Sequence, residues 1–241
     1  MKLRVDLAVT VPKDIEHQEL NEDAWAVDET VSKVALSDGA SESYDSRTWA
    51  TLLVKAYAAD SAFSIEWLGK VLADYSSMVN YESLSWSKQA AFDRGSFATL
   101  LGLELAPNGD VEVLALGDSV AFHLRGDQLL SSFPYTLPEQ FDARPLLLST
   151  LAANNSFVGE AGFFGRNTSL SWGVEVGDVI LLATDAVSQW ALLEREPNLE
   201  ALRFMCAVES AEDFEHKVLS LRQEKRMRID DSTLIRLLVE E

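Results

Sequence analysis

Four aspartates lie beside short turn signals at the tips of predicted strands: Asp23, Asp38, Asp185 and Asp230. Each apolar strand is therefore expected to deliver one carboxylate at its end. Carboxylates that converge from distant parts of a chain repel one another unless a cation neutralises their charge. Hard divalent cations such as Mg²⁺ and Mn²⁺ take oxygen ligands of this kind. The pattern predicts a carboxylate-rich metal site and, with it, a hydrolase.

Composition narrows the class of protein. The chain has 241 residues, of which 47% are hydrophobic, and this is enough for a sizeable core. Its formal net charge of −19 argues against nucleic acid or an anionic membrane as the main partner. Residues 1–6 alternate like a strand rather than a signal peptide, and no apolar run approaches the roughly 20 residues of a membrane span. We expect a soluble cytoplasmic protein.

Hydrophobic periodicity supplies the elements that must position the aspartates. Alternation predicts a first strand over residues 3–11 and a hairpin of residues 24–27 and 31–36. After Asp38 the period becomes helical. Further strands are predicted at 96–106, 111–116, 120–124, 128–131, 170–174, 179–183 and 233–239, and helices at 49–57, 65–79, 85–93, 187–193, 199–208 and 211–221.

The order of these elements indicates the fold class. Hairpin-like connections dominate over alternating strand–helix–strand units, which points to an α+β fold with antiparallel sheets and segregated helices. The first and last strands both have a core-like pattern, so the termini are expected to pair within one domain over residues 1–241. Residues 133–168 contain three prolines and three glycines, and we expect an irregular insertion or flap there, with some short helix.

Short motifs stand at the ends of the predicted strands. They are Asn21-Glu22-Asp23-Ala24, Ser37-Asp38-Gly39, Gly95-Ser96-Phe97-Ala98-Thr99, Leu116-Gly117-Asp118-Ser119, the stretch from Gly177 to Asp185, and Asp230-Asp231-Ser232-Thr233-Leu234. In this order, over nearly the whole chain, they resemble the motifs of the metal-dependent (PPM, type 2C) serine/threonine protein phosphatases, in particular bacterial-like single-domain members. The resemblance implies a four-layer α-β-β-α sandwich of two mainly antiparallel sheets flanked by helices, with the metal site at one end.

The resemblance also assigns roles within the metal site. Asp38 would bridge two Mg²⁺ or Mn²⁺ ions, with the carbonyl of Gly39 binding one of them. Asp185 and Asp230 would fix the ion positions. Water held between the ions becomes a nucleophile at neutral pH and would attack phosphorus directly, without a phosphoenzyme. Asp38, Asp185 and Asp230 would thus be the catalytic carboxylates.

Three further acidic residues complete the implied site. Glu22 and Asp23 would act through metal-bound waters, because Mg²⁺ usually keeps several of them. Asp118 would hold an additional ion, as its counterpart does in some family members. Two or three ions would therefore bind in all.

The implied function is that of a signalling hydrolase, a metal-dependent phosphatase of phosphoserine and phosphothreonine in proteins. A serine/threonine kinase is then a candidate partner. Two alternatives stay open: a catalytically weak or inactive regulatory or binding module on the same fold, and a phosphatase of a small metabolite. The retained aspartates argue against a pure scaffold, since a scaffold has little reason to keep four mutually repelling carboxylates.

The sequence departs from the family pattern where phosphate would be bound. Members generally carry a phosphate-binding arginine shortly before the first acidic motif, but residues 17–20 are His-Gln-Glu-Leu. Lys13 is the nearest upstream cation and could act as a point charge without the bidentate fork of arginine; the alternative is a solvated surface lysine. No histidine follows Asp38-Gly39, so a histidine general acid is not available at that place. The missing arginine is what motivates the regulatory alternative.

Overall fold

Strands and helices follow one another along the chain much as the periodicity predicts. The computed structural model describes residues 1–41, 43–165, 168–194 and 199–241. The strands within these ranges are β1 (Lys2–Val11), β2 (Ala24–Val27), β3 (Lys33–Ser37), β4 (Phe97–Ala98), β5 (Leu100–Leu105), β6 (Asp110–Leu116), β7 (Val120–Arg125), β8 (Gln128–Phe133), β9 (Leu148–Ser149), β10 (Ser169–Gly173), β11 (Val179–Ala183) and β12 (Ser232–Glu240). The α-helices are α1 (Ser46–Ala59), α2 (Ile65–Met78), α3 (Trp86–Phe92), α4 (Asp185–Leu193), α5 (Glu200–Ala207) and α6 (Ala211–Gln223). None of the helices described here combines the length and the apolar character needed to cross a bilayer.

Two antiparallel five-stranded sheets form the centre of the molecule. The first has the order β1-β12-β11-β7-β8 and the second the order β10-β6-β5-β3-β2, while β4 and β9 pair separately. Neighbouring strands run antiparallel, as hairpin connections require. The N-terminal strand β1 pairs with the C-terminal strand β12, and Leu3 lies opposite Val239. The predicted pairing of the two terminal strands is confirmed.

Buried apolar side chains form three clusters, and these clusters separate four layers. In β11, Ile180 and Leu182 belong to the cluster between the sheets, whereas Leu181 and Ala183 belong to the cluster beneath α4, α5 and α6. Successive side chains of a strand face opposite sides of its sheet, so a strand covered on both sides is apolar at every position. The third cluster packs α1 and α2 against the second sheet, around Trp49. The fold is therefore α+β, as the order of the elements predicts, and it is the four-layer α-β-β-α sandwich of two antiparallel sheets flanked by helices that the family resemblance implies.

The strand predicted over residues 96–106 is interrupted at Thr99. Its first part, β4, pairs with β9, and its second part, β5, enters the second sheet between β6 and β3. At the break, the Thr99 N–H donates to the Asp38 carbonyl at 2.8 Å, and Gly39 bridges to Ala98. The interruption is thus caused by a contact with the segment that carries Asp38, far away in the sequence.

Local contacts order most of the segment that the sequence predicts as an irregular insertion. It contains β9 and two short 3-10 helices, Pro138–Asp142 and Ala152–Gly159. The buried Asn155 side chain accepts from the Ser149 N–H at 2.8 Å and donates to the Ser149 carbonyl at 2.8 Å. The expected short helix is present, while residues 166–167 of this segment lie outside the described residues.

Close contact between α1 and β5 provides a test of the packing. Gly102 of β5 lies against the ring of Tyr57 on α1, and a Cβ at that position would collide with the ring. We expect Gly102→Ala to lower the free energy of unfolding by about 1–3 kcal/mol, the usual cost of overpacking a core. In the matched control Gly69→Ala, on the exposed side of α2, nothing lies within 4 Å of the added methyl group. For the control, denaturant titration should show a free energy of unfolding that is higher by about 0.5–1 kcal/mol, because alanine favours the helix more than glycine does. Equal effects of the two substitutions would contradict this packing.

Candidate metal centre

Five of the predicted site residues line one pocket at the end of the sandwich. Each stands at the tip of a strand: Asp38 and Gly39 after β3, Asp118 after β6, Asp185 after β11 and Asp230 before β12. Antiparallel strands bring the end of one strand and the start of the next to the same edge, which is why residues distant in sequence meet here. The pocket has a volume of about 150 Å³. At ~30 Å³ per water molecule, it has room for ions and a few waters or for a phosphoryl group.

Contacts of the backbone hold Asp38 in place. Its N–H donates to Thr99 Oγ1 at 2.8 Å, and its carbonyl accepts from the Thr99 N–H at 2.8 Å. The next residue, Gly39, has no room for a side chain, because a Cβ there would lie 2.9 Å from the Glu22 carbonyl oxygen and 2.9 Å from Ser46 Cβ. A threonine and a glycine therefore fix the point from which the Asp38 carboxylate enters the pocket.

Two of the aspartates have a carboxylate oxygen that is buried without a partner. Asp23 Oδ2 accepts from Thr233 Oγ1 at 2.6 Å and from Thr184 Oγ1 at 3.1 Å. Asp185 Oδ2 accepts from Arg228 Nη1 at 2.6 Å. The Oδ1 atoms of both aspartates are buried and have no hydrogen-bond partner among the described residues. Because a buried carboxylate oxygen without a partner is costly, both residues fit a cation that supplies the missing contact.

Burial and mutual repulsion disfavour ionisation throughout this group. Burial raises the pKa of Asp38 well above its usual range, and the charges of Asp23, Asp185 and Asp118 add to the shift. Burial is also the first cause of the raised pKa of Asp185, followed by the charge of Asp118. The pKa values of Asp23, Asp118 and Asp230 are raised, again chiefly by burial. A divalent cation bound among these carboxylates would stabilise their ionised forms.

The carboxylates do not form a complete ligand set as they stand. Within the described ranges, no three His, Cys, Asp or Glu side chains are placed so that they could hold one metal ion together. Three hydrogen bonds occupy one oxygen on each of two of these carboxylates: Arg228 donates to Asp185, and Thr184 and Thr233 donate to Asp23. The donor chemistry fits nevertheless, because aspartate carboxylates and the Gly39 carbonyl are the oxygen ligands that Mg²⁺ and Mn²⁺ prefer.

Glu22 and Lys13 pair with each other at the edge of the pocket. Lys13 Nζ lies 2.5 Å from Glu22 Oε2, and Glu22 Oε1 accepts from the hydroxyl of Ser46. Lys13 Nζ also donates to Ser41 Oγ at 2.7 Å, and Ser41 lines the pocket. Burial works against the charged form of Lys13, but the hydrogen bond and the charge of Glu22, together with the charges of Asp231 and Asp230, outweigh it, and the pKa of Lys13 is raised. Lys13 is therefore a half-buried, paired cation rather than a freely solvated lysine.

Two residues that brace the site were missed by the sequence reasoning. Asp231 is buried, and its carboxylate accepts from the backbone N–H groups of Lys13 and Glu22 at 2.7 Å each. Arg222 is also buried and donates to the carbonyl oxygen of Asp230 and to the last carbonyl of β1. An arginine on the otherwise apolar face of α6 is the signal that could have revealed this contact.

Two antiparallel sheets between helix layers, with aspartates gathered at one end, define the type 2C phosphatase fold. The structure is similar to that of the serine/threonine phosphatase PstP from Mycobacterium tuberculosis, with a TM-score of 0.61 and 16% identity over 100% of both chains. It is also similar to the PstP catalytic domain in complex with two manganese ions, with a TM-score of 0.61 and 18% identity over 99% of both chains. A third similar structure is the phosphatase Stp1 from Staphylococcus aureus, with a TM-score of 0.59 and 16% identity over 100% of this chain and 98% of that chain.

These similarities establish the fold. They confirm, at that level, the resemblance to the type 2C phosphatases that the order of the motifs predicts. The chain matches no protein-family model and no curated protein. At such low identities, the chemistry of the site has to be argued from its own residues.

Replacing Asp38 by the isosteric asparagine tests the repulsion within the site. We expect Asp38→Asn to raise the Tm of the metal-free protein by about 2–4 °C, which corresponds to ~1 kcal/mol in a domain of this size, because a neutral amide replaces a buried carboxyl whose ionisation is opposed by burial and by its neighbours. The same variant should lose the gain in Tm that Mn²⁺ gives the original protein. Calorimetric scans with a chelator and with Mn²⁺ measure both effects.

Asp178→Asn is the matched control, because Asp178 is a buried carboxylate that has partners. Arg125 Nε donates to it at 2.7 Å, and His123 Nε2 lies 2.8 Å away. Burial alone would raise the pKa of Asp178, but these partners hold it at about 2. The control should have a lower Tm than the original protein, and Mn²⁺ should still raise that Tm. The difference in Tm between the two proteins should disappear as the pH falls from about 4 to about 2, because the original carboxylate becomes protonated over this range. A metal-free Tm that falls in Asp38→Asn, with the Mn²⁺ gain intact, would refute the metal centre.

Proposed function

We propose that this chain is a cytoplasmic, Mg²⁺- or Mn²⁺-dependent phosphatase that hydrolyses phosphoserine and phosphothreonine esters in proteins. Its place would be in signalling, opposite a serine/threonine kinase. The observation that carries the proposal is a group of five aspartates with raised pKa values at the end of a type 2C sandwich. Similar structures carry the description serine/threonine phosphatase, which supports this choice of substrate.

The residues that would hold the cations come from separate strands. Asp38, Asp185 and Asp230, together with the Gly39 carbonyl, would hold two ions, and Asp118 would hold a third. When bound, such ions offset the charge of the phosphoryl group and lower the pKa of water so that it can attack phosphorus. A pocket of about 150 Å³ is large enough for that group with its ions, and the serine/threonine phosphatases of similar structure favour a phosphoester carried by a protein.

Keeping the oxygen ligands in place is the task of the surrounding chain. Thr99 fixes the backbone of Asp38, and Asp23 supports the site from behind through its two threonine contacts. Pro145 and Leu147 supply an apolar wall on one side of the pocket. Because apolar walls keep water away, the attraction between charges inside such a site is stronger than it would be in bulk solvent.

Glu22 and Lys13 would act at the margin of the site. Lys13 reaches the pocket lining through Ser41, so it could contribute a point charge near an entering phosphoester. Glu22 offsets much of that charge, because the two side chains form an ion pair at 2.5 Å. Glu22 would in turn contact the ions through water rather than directly.

One observation favours a regulatory or binding module as the second candidate. Asp185, a principal ligand in the proposal, already pairs with Arg228 at 2.6 Å, and a carboxylate that is neutralised in this way can persist without a cation. The buried, unpartnered oxygens of Asp23 and Asp185 speak against it. A module without cations would gain nothing from burying them.

Turnover and metal binding have to be measured together to separate these functions. We expect Mn²⁺-dependent hydrolysis of phosphoserine and phosphothreonine peptides and of p-nitrophenyl phosphate. Asp38→Ala and Asp230→Ala should each lower kcat by about 10²-fold or more, as the loss of one transition-state contact typically does, while Asp178→Asn stays active. Tight Mn²⁺ binding in titration calorimetry without any turnover would favour the module. Undiminished, metal-independent turnover in the alanine variants would refute the proposal.

A further inference from the structure

Arg228 is an arginine at the metal pocket that the sequence analysis did not single out. It lies in the loop between α6 and β12, two residues before Asp230. Its Nη1 donates to Asp185 Oδ2 at 2.6 Å, and its Nη2 and Nε donate to Gln189 Oε1 at 2.8 and 3.1 Å. Asp185 and Gln189 are four residues apart on α4 and therefore lie on one face of the helix. The side chain is 36% exposed, so the guanidinium is fixed by α4 and still partly open to solvent.

The charge of Arg228 acts on the pocket as a whole. Its guanidinium works to lower the pKa of Asp118, Asp185 and Asp230, against the effect of burial. Among the ion pairs of the described residues, only the pair of Arg228 with Asp185 involves a carboxylate that lines the pocket. Arg228 thus supplies a fixed positive charge beside aspartates that repel one another.

Three other cations close to the site or to the α6–β12 loop are less suited to binding an anion. Lys13 is a point charge that Glu22 already offsets at 2.5 Å. The guanidinium of Arg222 is directed at backbone carbonyls. Arg226, two positions before Arg228, pairs with Glu194 and Glu224 on the surface. Besides the N–H groups that bond Asp185 and Gln189, Nη1 and Nη2 of Arg228 each carry a second N–H, and a pair of such donors suits phosphate oxygens as well as carboxylate oxygens.

These contacts suggest an exchange between two anionic partners. We propose that Arg228 is the exchangeable counter-ion of this site: it pairs with Asp185, yields that carboxylate to a divalent cation when one binds, and then binds phosphoryl oxygens of the substrate. Gln189 keeps the guanidinium at the rim during the exchange. From the α6–β12 loop, Arg228 would therefore bind phosphate, which is the role that the resemblance gives to an arginine near residues 17–20. The binding of phosphoryl oxygens, which is the phosphate half of the inference, rests on the proposed phosphatase function. The release of Asp185 to a cation, which is the metal half, does not depend on turnover.

Arg228→Gln tests both halves, and their expected effects have opposite signs. Titration calorimetry of the metal-free protein should show Mn²⁺ binding tightened by about fivefold to tenfold, because a competing positive charge is gone. Inorganic phosphate should bind the Mn²⁺-loaded protein about tenfold more weakly, because a charge-assisted contact is lost. Arg228→Lys retains the charge without the fork, so its Mn²⁺ affinity should stay near that of the original protein while its phosphate affinity falls.

Arg226→Gln is the matched control. It removes the same charge from the same loop but breaks contacts with Glu194 and Glu224 instead of Asp185, so both affinities should stay unchanged. Unchanged or weaker Mn²⁺ binding in Arg228→Gln, or an equal change in the control, would overturn the counter-ion role. Unchanged phosphate binding in Arg228→Gln would overturn the anion-binding role.

Failure of the proposed function is distinguishable from failure of this inference. If the original protein neither hydrolyses phosphoesters nor binds phosphate, the phosphatase proposal fails and takes the phosphate half of the inference with it. Tighter Mn²⁺ binding in Arg228→Gln would still support the exchange at Asp185. If the original protein does turn over phosphoesters, an unchanged KM in Arg228→Gln refutes the role given to Arg228 and leaves the proposed phosphatase function intact.

Discussion

Repulsion among carboxylates that are drawn out of water is the constraint on which the rest of this structure depends. Asp38, Asp118, Asp185 and Asp230 surround one small pocket, and burial raises the pKa of each. Such a cluster opposes folding, so it persists only where the surrounding structure is stable enough to hold it. Three layers of buried apolar side chains, on both faces of both sheets, provide that stability.

The cationic and hydroxyl groups near the pocket can be understood as responses to this repulsion. Arg228 neutralises one oxygen of Asp185, while the hydroxyls of Thr184 and Thr233 hold Asp23. Asp231 is different, since it accepts two backbone N–H groups and ties the end of β1 to the first acidic motif. The site is therefore supported from several strands at once. Loss of one support should shift the others, because residues in one network act cooperatively.

Most of the fold could be predicted from the sequence because it depends on local patterns. Residues 179–183 are apolar without a break, as a strand covered on both faces must be, and the aspartates stand where such runs end. The break at Thr99 could not be predicted, because its cause is a contact with Asp38, 61 positions earlier. The pairing of Arg228 with Asp185 spans 43 positions and follows no period. Periodicity identifies the residues that face the core, but long-range polar contacts appear only once the strands are placed in space.

Charge balance links the number of bound ions to the binding of substrate. When ionised, Asp23, Asp38, Asp118, Asp185 and Asp230 carry five negative charges and the adjoining Asp231 a sixth, whereas two divalent ions with Arg228 would carry five positive ones, so the site would have no positive excess. Lys13 changes little in this balance because Glu22 offsets it. A site without a positive excess does not attract a phosphoryl dianion strongly, so a further positive charge is needed. Asp118 is buried on the pocket wall, and a third divalent ion there would supply that charge within the pocket. In this site, whether two or three ions bind would therefore decide how strongly substrate is held as well as how water is activated.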